Sequence, residues 1–164
     1  MPPESLQHHA YIALGSNLGV SDKALAGALG KLDALPGTRV LQVSPWYRSA
    51  AIGGPADQPD YLNAVCEITT GLAPRALLDA LHQIEHHFGR ERQVRWGPRT
   101  LDLDIIWYQN VTSEDPELTL PHPRAHERAF VIRPLADIAP ELILGNQPLN
   151  HWLNHTRDQA ISRL

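Results

Sequence analysis

Leu101-Asp102-Leu103-Asp104-Ile105-Ile106-Trp107-Tyr108 reads as a β-strand, and its place as the last of four strands decides the fold. Upstream of it, Pro74 occupies a helix N1 position, Leu77, Leu81, Ile84 and Phe88 mark one helical face, and Gly89 supplies the stop. Asp60 to Thr70 is rich in β-branched residues and reads as a strand. A Gly/Pro-rich loop, Ile52 to Pro59, separates it from another, Val40-Leu41-Gln42-Val43 leading into Trp46 and Tyr47. Further back, Ser21 caps a helix carrying Leu25, Leu29, Leu32 and Leu35, which Pro36-Gly37 ends. The first apolar run, Tyr11-Ile12-Ala13-Leu14, is a buried strand closed by Gly15-Ser16-Asn17. The order is β-α-β-β-α-β, which predicts an α+β, ferredoxin-like antiparallel sheet with helices packed on it. Short elements around Phe130 to Ile138 and Pro148 to Asn154 form a C-terminal extension expected to lengthen or cover the sheet.

The chain has 164 residues, which suits one domain spanning 10–164 behind a flexible extension at 1–9. Hydrophobic residues make up 43% of it, which excludes global disorder. The net charge of −4 gives no overall basic field for nucleic acid, so an anionic ligand must be held by a local cluster of cations. Cys66 is the only cysteine and lies in an apolar run, so it reads as a small buried hydrophobe. No apolar stretch approaches a membrane span, and Met1 to His9 lack a signal-peptide core. The expectation is a cytoplasmic monomer acting on small molecules, without nucleic-acid or membrane partners.

Alternation along Leu101–Tyr108 puts Leu101, Leu103 and Ile105 on one face and Asp102 and Asp104 on the other. Their Cα atoms are then roughly 6–7 Å apart, close enough for the carboxylates to converge on divalent cations. Asp is disfavoured in strands, and adjacent like charges repel, a cost that a bound cation removes. Hard carboxylate donors suit Mg²⁺ shared with substrate phosphates. Arg90, Arg92, Arg95 and Arg99 fall just before the pair, and guanidinium forks match phosphate oxygens bidentately. An isolated Asp-x-Asp is usually a wet strand face, and an Arg run usually an exposed loop. Both features in one segment favour a polyphosphate site.

Arg95-Trp96-Gly97-Pro98-Arg99-Thr100-Leu101-Asp102-Leu103-Asp104-Ile105 resembles the signature of the 6-hydroxymethyl-7,8-dihydropterin pyrophosphokinases. So do Ala13-Leu14-Gly15-Ser16-Asn17-Leu18-Gly19, Asp57 to Ala64, Leu120-Pro121-His122-Pro123-Arg124 and Glu127-Arg128-Ala129-Phe130, in the family's order from about Tyr11 to past Pro140. The resemblance implies a catalytic domain that transfers diphosphate from ATP, as co-substrate, to the pterin hydroxymethyl group and releases AMP, a step of folate biosynthesis. It implies two Mg²⁺ ions on Asp102 and Asp104. It places the pterin between Tyr61 and Phe130, with Asn63 on the ring's polar edge and Ser49 and Ile52 completing the pocket. It gives nucleotide contacts to Glu85, Ile105, Thr119, His122 and Arg128, phosphate contacts to Arg90, Arg92 and Arg99, and a closing loop to Arg95 and Trp96. The chain departs from the family with Ser49-Ala50-Ala51 in place of a commoner Thr-x-Pro, and with His82 where some members carry Gln.

Two other functions compete. His82-Gln83-Ile84-Glu85-His86 matches the zinc-peptidase pattern H-x-x-E-H, without a recognisable third ligand. A ferredoxin-like sheet can also present aromatics to single-stranded RNA, although no RNP-type aromatic motif is present.

Overall fold

The computed structural model describes residues 7–17, 21–49, 61–89, 101–159 and 161–163. Strand β1 (His8–Asn17) leads into helix α1 (Ser21–Asp33), then β2 (Thr38–Val43), β3 (Tyr47–Ser49) and β4 (Tyr61–Thr70). Helix α2 (Pro74–Gly89) and strand β5 (Asp102–Tyr108) complete the expected order. The remainder comprises the hairpin β6 (Ser113–Asp115) and β7 (Leu118–Leu120), a 3-10 turn (Ala125–Glu127) and α3 (Ala129–Ile138). It ends with the small hairpin β8 (Ile143–Leu144) and β9 (Gln147–Pro148), α4 (Leu149–His155) and β10 (Ile161–Arg163).

The main sheet runs β10-β3-β4-β1-β5, with β2 also paired to β4, and all its pairings are antiparallel. Since β4 lies between β1 and the strands that follow α1, this is the split β-α-β arrangement of a ferredoxin-like sheet. The second predicted strand is two strands. Pro45 has no N–H to give a ladder, so pairing breaks between β2 and β3. There the backbone N–H of Ser44 donates to the Val65 carbonyl at 2.8 Å, while its hydroxyl accepts from the Val65 N–H at 3.0 Å. β1 starts at His8, two residues inside the segment expected to be a flexible extension. It runs alongside Thr69 and Thr70, with His9 Nδ1 2.7 Å from Glu67 Oε2.

The sheet is covered on both faces. Ala10, Ile12 and Leu14 of β1 pack with Leu25, Ala28 and Leu32 of α1 and Leu77, Leu81 and Ile84 of α2. Leu103 and Ile105 join this core from β5, and Cys66 is fully buried in it. On the opposite face Tyr11, Val65 and Ile106 pack with Val131, Ile132 and Leu135 of α3 and Leu149 of α4. Of the two expected C-terminal elements, α3 and α4 cover the sheet, and a further strand not expected from the sequence, β10, lengthens it. No helix among the described residues is long and apolar enough to cross a membrane.

Candidate active site

The site is built on the α3 face of the sheet, where β1, between β4 and β5, carries small residues toward its end. Along β1, Tyr11 is followed on that face by Ala13 and Gly15. In register, Gly15 lies between Asn63 of β4 and Asp102 of β5, and Ala13 lies beside Asp104. A Cβ on Gly15 would come 3.4 Å from Asn63 Oδ1, so the missing side chain keeps the floor open between the flanking polar groups. Above this floor is a cavity of about 570 Å³, lined also by Ser49, Glu127, Arg128, Phe130, Val131 and Gln159.

Each wall has a local cause. Asp102 and Asp104 point into the cavity because their strand neighbours Leu101, Leu103 and Ile105 are in the α1/α2 core. A register shift opposite Tyr11 and Ile12 inserts Ile106 as an extra residue of β5, so Ile106 and Trp107 both pack toward α3. Asn63 is 3% exposed and donates from Nδ2 to Ser49 Oγ at 2.7 Å, which fixes its amide. Phe130, in the first turn of α3, has the Arg128 guanidinium carbon 5.7 Å from its ring centroid. His122 is tied alongside β5 by its N–H, which donates to the Ile106 carbonyl at 2.9 Å. Burial holds its pKa below the ordinary value. Asp104 pulls it up and Arg128 pushes it down.

The structure thus gathers Ser49, Asn63, Asp102, Asp104, Arg128 and Phe130 around one cavity; His122 does not line it but feels the charges of Asp104 and Arg128. Three expected nucleotide contacts stand elsewhere. The Ile105 side chain is buried in the α1/α2 core, so only its backbone could touch a ligand. Glu85 accepts the Leu103 N–H at 2.7 Å, and the Thr119 hydroxyl donates to the Asp115 carbonyl at 2.9 Å. Ile52, Arg90, Arg92, Arg95, Trp96 and Arg99 lie outside the described residues, as does the Tyr61 side chain. Sequence reasoning gave no role to Ala13, Gly15 or Gln159. Two small residues at alternate positions of a buried strand were a usable signal for the first two. Gln159 had none, because its side-chain contacts are 30 or more residues away.

Among the described residues the rival chemistries do not assemble. His82 and His86 are exposed, Glu85 is engaged with β5, and no group of three or more His, Cys, Asp or Glu among the described residues could hold a metal ion. An RNA platform needs an open sheet face, and α3 covers the one that α1 and α2 leave. Burial pushes the Cys66 thiol up to about 12, which removes it as a nucleophile.

Known proteins with the same sequence pattern agree. A 2-amino-4-hydroxy-6-hydroxymethyldihydropteridine pyrophosphokinase of Haemophilus influenzae is 49% identical over 140 residues, 85% of this chain and 87% of that protein. The Pseudomonas aeruginosa protein of that name is 50% identical over 134 residues, 82% of each chain. In the crystal structure of wild-type Plasmodium falciparum HPPK-DHPS with pteroate, the matching region has a TM-score of 0.70 at 11% identity, a likeness of fold. It covers 96% of this chain and 48% of that one. The sequence model of 7,8-dihydro-6-hydroxymethylpterin-pyrophosphokinase (HPPK) matches residues 11–140, and the chain belongs to that family.

Proposed function

We propose that this protein transfers the β,γ-diphosphate of ATP to the hydroxymethyl oxygen of 6-hydroxymethyl-7,8-dihydropterin and releases AMP, in folate biosynthesis. The observation that carries this is the meeting, around one cavity, of two strand carboxylates with an amide and an aromatic ring. Asn63 and Ser49 supply hydrogen-bonding groups for the pterin's polar edge, and Phe130 and Tyr61 its stacking faces. Ile52 closes that pocket. Arg128 and His122 take the nucleotide, with Glu85, Thr119 and the Ile105 backbone at its margin. Arg90, Arg92 and Arg99 hold the phosphates, and Arg95 and Trp96 belong to the closing loop.

Asp102 and Asp104 offer hard oxygen donors on one strand face beside the space a triphosphate would occupy, a donor set that fits Mg²⁺. Two Mg²⁺ ions held there would neutralise phosphate charge and acidify the attacking hydroxyl. The chain's own part is to orient and to exclude water. The pterin oxygen forms a bond to the β-phosphorus, the bond from that phosphorus to the α–β bridging oxygen breaks with that oxygen leaving on AMP, and the hydroxyl proton passes to solvent. No protein nucleophile is needed, because phosphoryl chemistry responds to positioning and charge stabilisation. We take the protein to be a cytoplasmic monomer that acts on two small molecules.

Protein, Mg²⁺, the reduced pterin and ATP labelled at its β-phosphorus should yield labelled pterin and unlabelled AMP. Label recovered in ADP, in proportion to turnover, would make the protein an ordinary kinase and overturn the proposal.

A further inference from the structure

The start of α3 carries the cavity residues Arg128, Phe130 and Val131, and the Arg128 carbonyl accepts the Val131 and Ile132 N–H groups at 3.0 Å each, yet two of the ties usual in a helix are absent. Arg128, at the N-cap, makes no side-chain capping bond. Pro134, four residues after Phe130, has no N–H, so the helical bond that would end on the Phe130 carbonyl is not made. Two ties arrive from far along the chain. Gln159 Oε1 accepts the Ala129 N–H at 2.9 Å, and Gln159 Nε2 donates to the Glu127 carbonyl at 2.8 Å. An N–H requires an acceptor and a carbonyl a donor, so the two partners fix which way the amide points. The bonds straddle Arg128, and Gln159 itself lines the cavity. Gln159 is held in turn by its own N–H, which donates to the Thr156 carbonyl at 3.0 Å. Two residues later β10 begins, with Ile161 in register with the cavity residue Ser49.

We propose that Gln159 is a positioning residue of the site. Its amide replaces the missing cap of α3 and, through the β10–β3 pairing, fixes Arg128 and Phe130 relative to Ser49. It lies beyond residues 11–140, so the family match does not speak to it. The inference rests on the cavity being the diphosphotransfer site.

Gln159→Leu keeps the bulk and removes both bonds, whereas Gln159→Glu keeps an acceptor for Ala129 and loses the donor to Glu127. In the full chain, exchange of the Ala129 amide hydrogen should accelerate in Gln159→Leu and stay close to wild type in Gln159→Glu. Displacing a binding residue slightly can be costly, so KM and calorimetric Kd for the pterin should rise about tenfold in Gln159→Leu and less in Gln159→Glu. Because the ring is held alike before and during transfer, kcat should change less than about threefold. Wild-type KM and Kd in Gln159→Leu, or activity lost only in proportion to the unfolded fraction, would overturn the proposal. A wild-type chain that binds the pterin without turnover breaks the reaction assignment alone. The Kd ratio between wild type and Gln159→Leu still decides the role of Gln159, and a chain that binds no pterin overturns both.

Discussion

Asp104 is exposed at the cavity mouth, and the alternate residues of β5 are core, so its carboxylate contributes nothing to packing. Asp102→Ala and Asp104→Ala should each abolish turnover in the Mg²⁺–ATP assay. For Asp104→Ala the unfolding free energy without Mg²⁺ should stay within about 0.5 kcal/mol of wild type, the usual range for a surface change. Near-full activity in either variant would remove the carboxylates from the metal role. These residues were legible because strand alternation is a local rule: two aspartates between buried aliphatics must share a face. Asn63 was legible only through the resemblance, since nothing beside it in the chain announces its bond to Ser49, 14 residues away. Gly15 shows what local reading overlooks. It looked like a strand terminator, yet β1 continues to Asn17, and the absent Cβ matters because Asn63 stands across from it.

The helices and long strands could be read from periodicity, because α1, α2, β4 and β5 each bury one regular stripe in a shared core. The join between β2 and β3 could not. Val40 to Tyr47 reads as one strand if Pro45, the one local sign of a break, is passed over, and the pairing with β4 shows where the ladder stops. Ser44 is the hinge of that join. It is 3% exposed, accepts the Val65 N–H and donates to the Pro45 carbonyl at 2.8 Å. Ser44→Ala should therefore leave a buried N–H without its acceptor and cost about 1–3 kcal/mol. Denaturant unfolding would show it as a lower midpoint at unchanged slope. A loss below about 0.5 kcal/mol would mean that Val65 finds another partner and that the hydroxyl does not hold the two strands in line. Since Ser49 ends β3, an error in that alignment would be felt at the cavity.

The two faces of the sheet divide the work of the molecule. One meets α1 and α2 through continuous aliphatic packing, with no cavity residue among the described residues of either helix. The other meets α3 and α4 through a smaller core that gives way, at the Gly15 end, to the cavity. Stability and ligand binding should then separate by face. Leu81 is fully buried on α2, so Leu81→Ala should cost about 2–5 kcal/mol through lost transfer energy and the void left behind. Its kcat/KM, measured well below the unfolding midpoint, should stay within about threefold of wild type, because no site residue loses a direct contact with a ligand. Phe130 is half-buried at the cavity, and Phe130→Ala should do the reverse. Losing one stacking face, worth about 0.5–1.5 kcal/mol beyond area burial, together with the area itself should weaken the pterin at least about tenfold. Nucleotide affinity should fall far less. Steady-state kinetics of both variants, with calorimetric titration of each ligand and denaturant unfolding, measures these effects. Equal losses of kcat/KM in Leu81→Ala and Phe130→Ala would show that the sheet transmits core damage into the site, and the division by face would then be wrong.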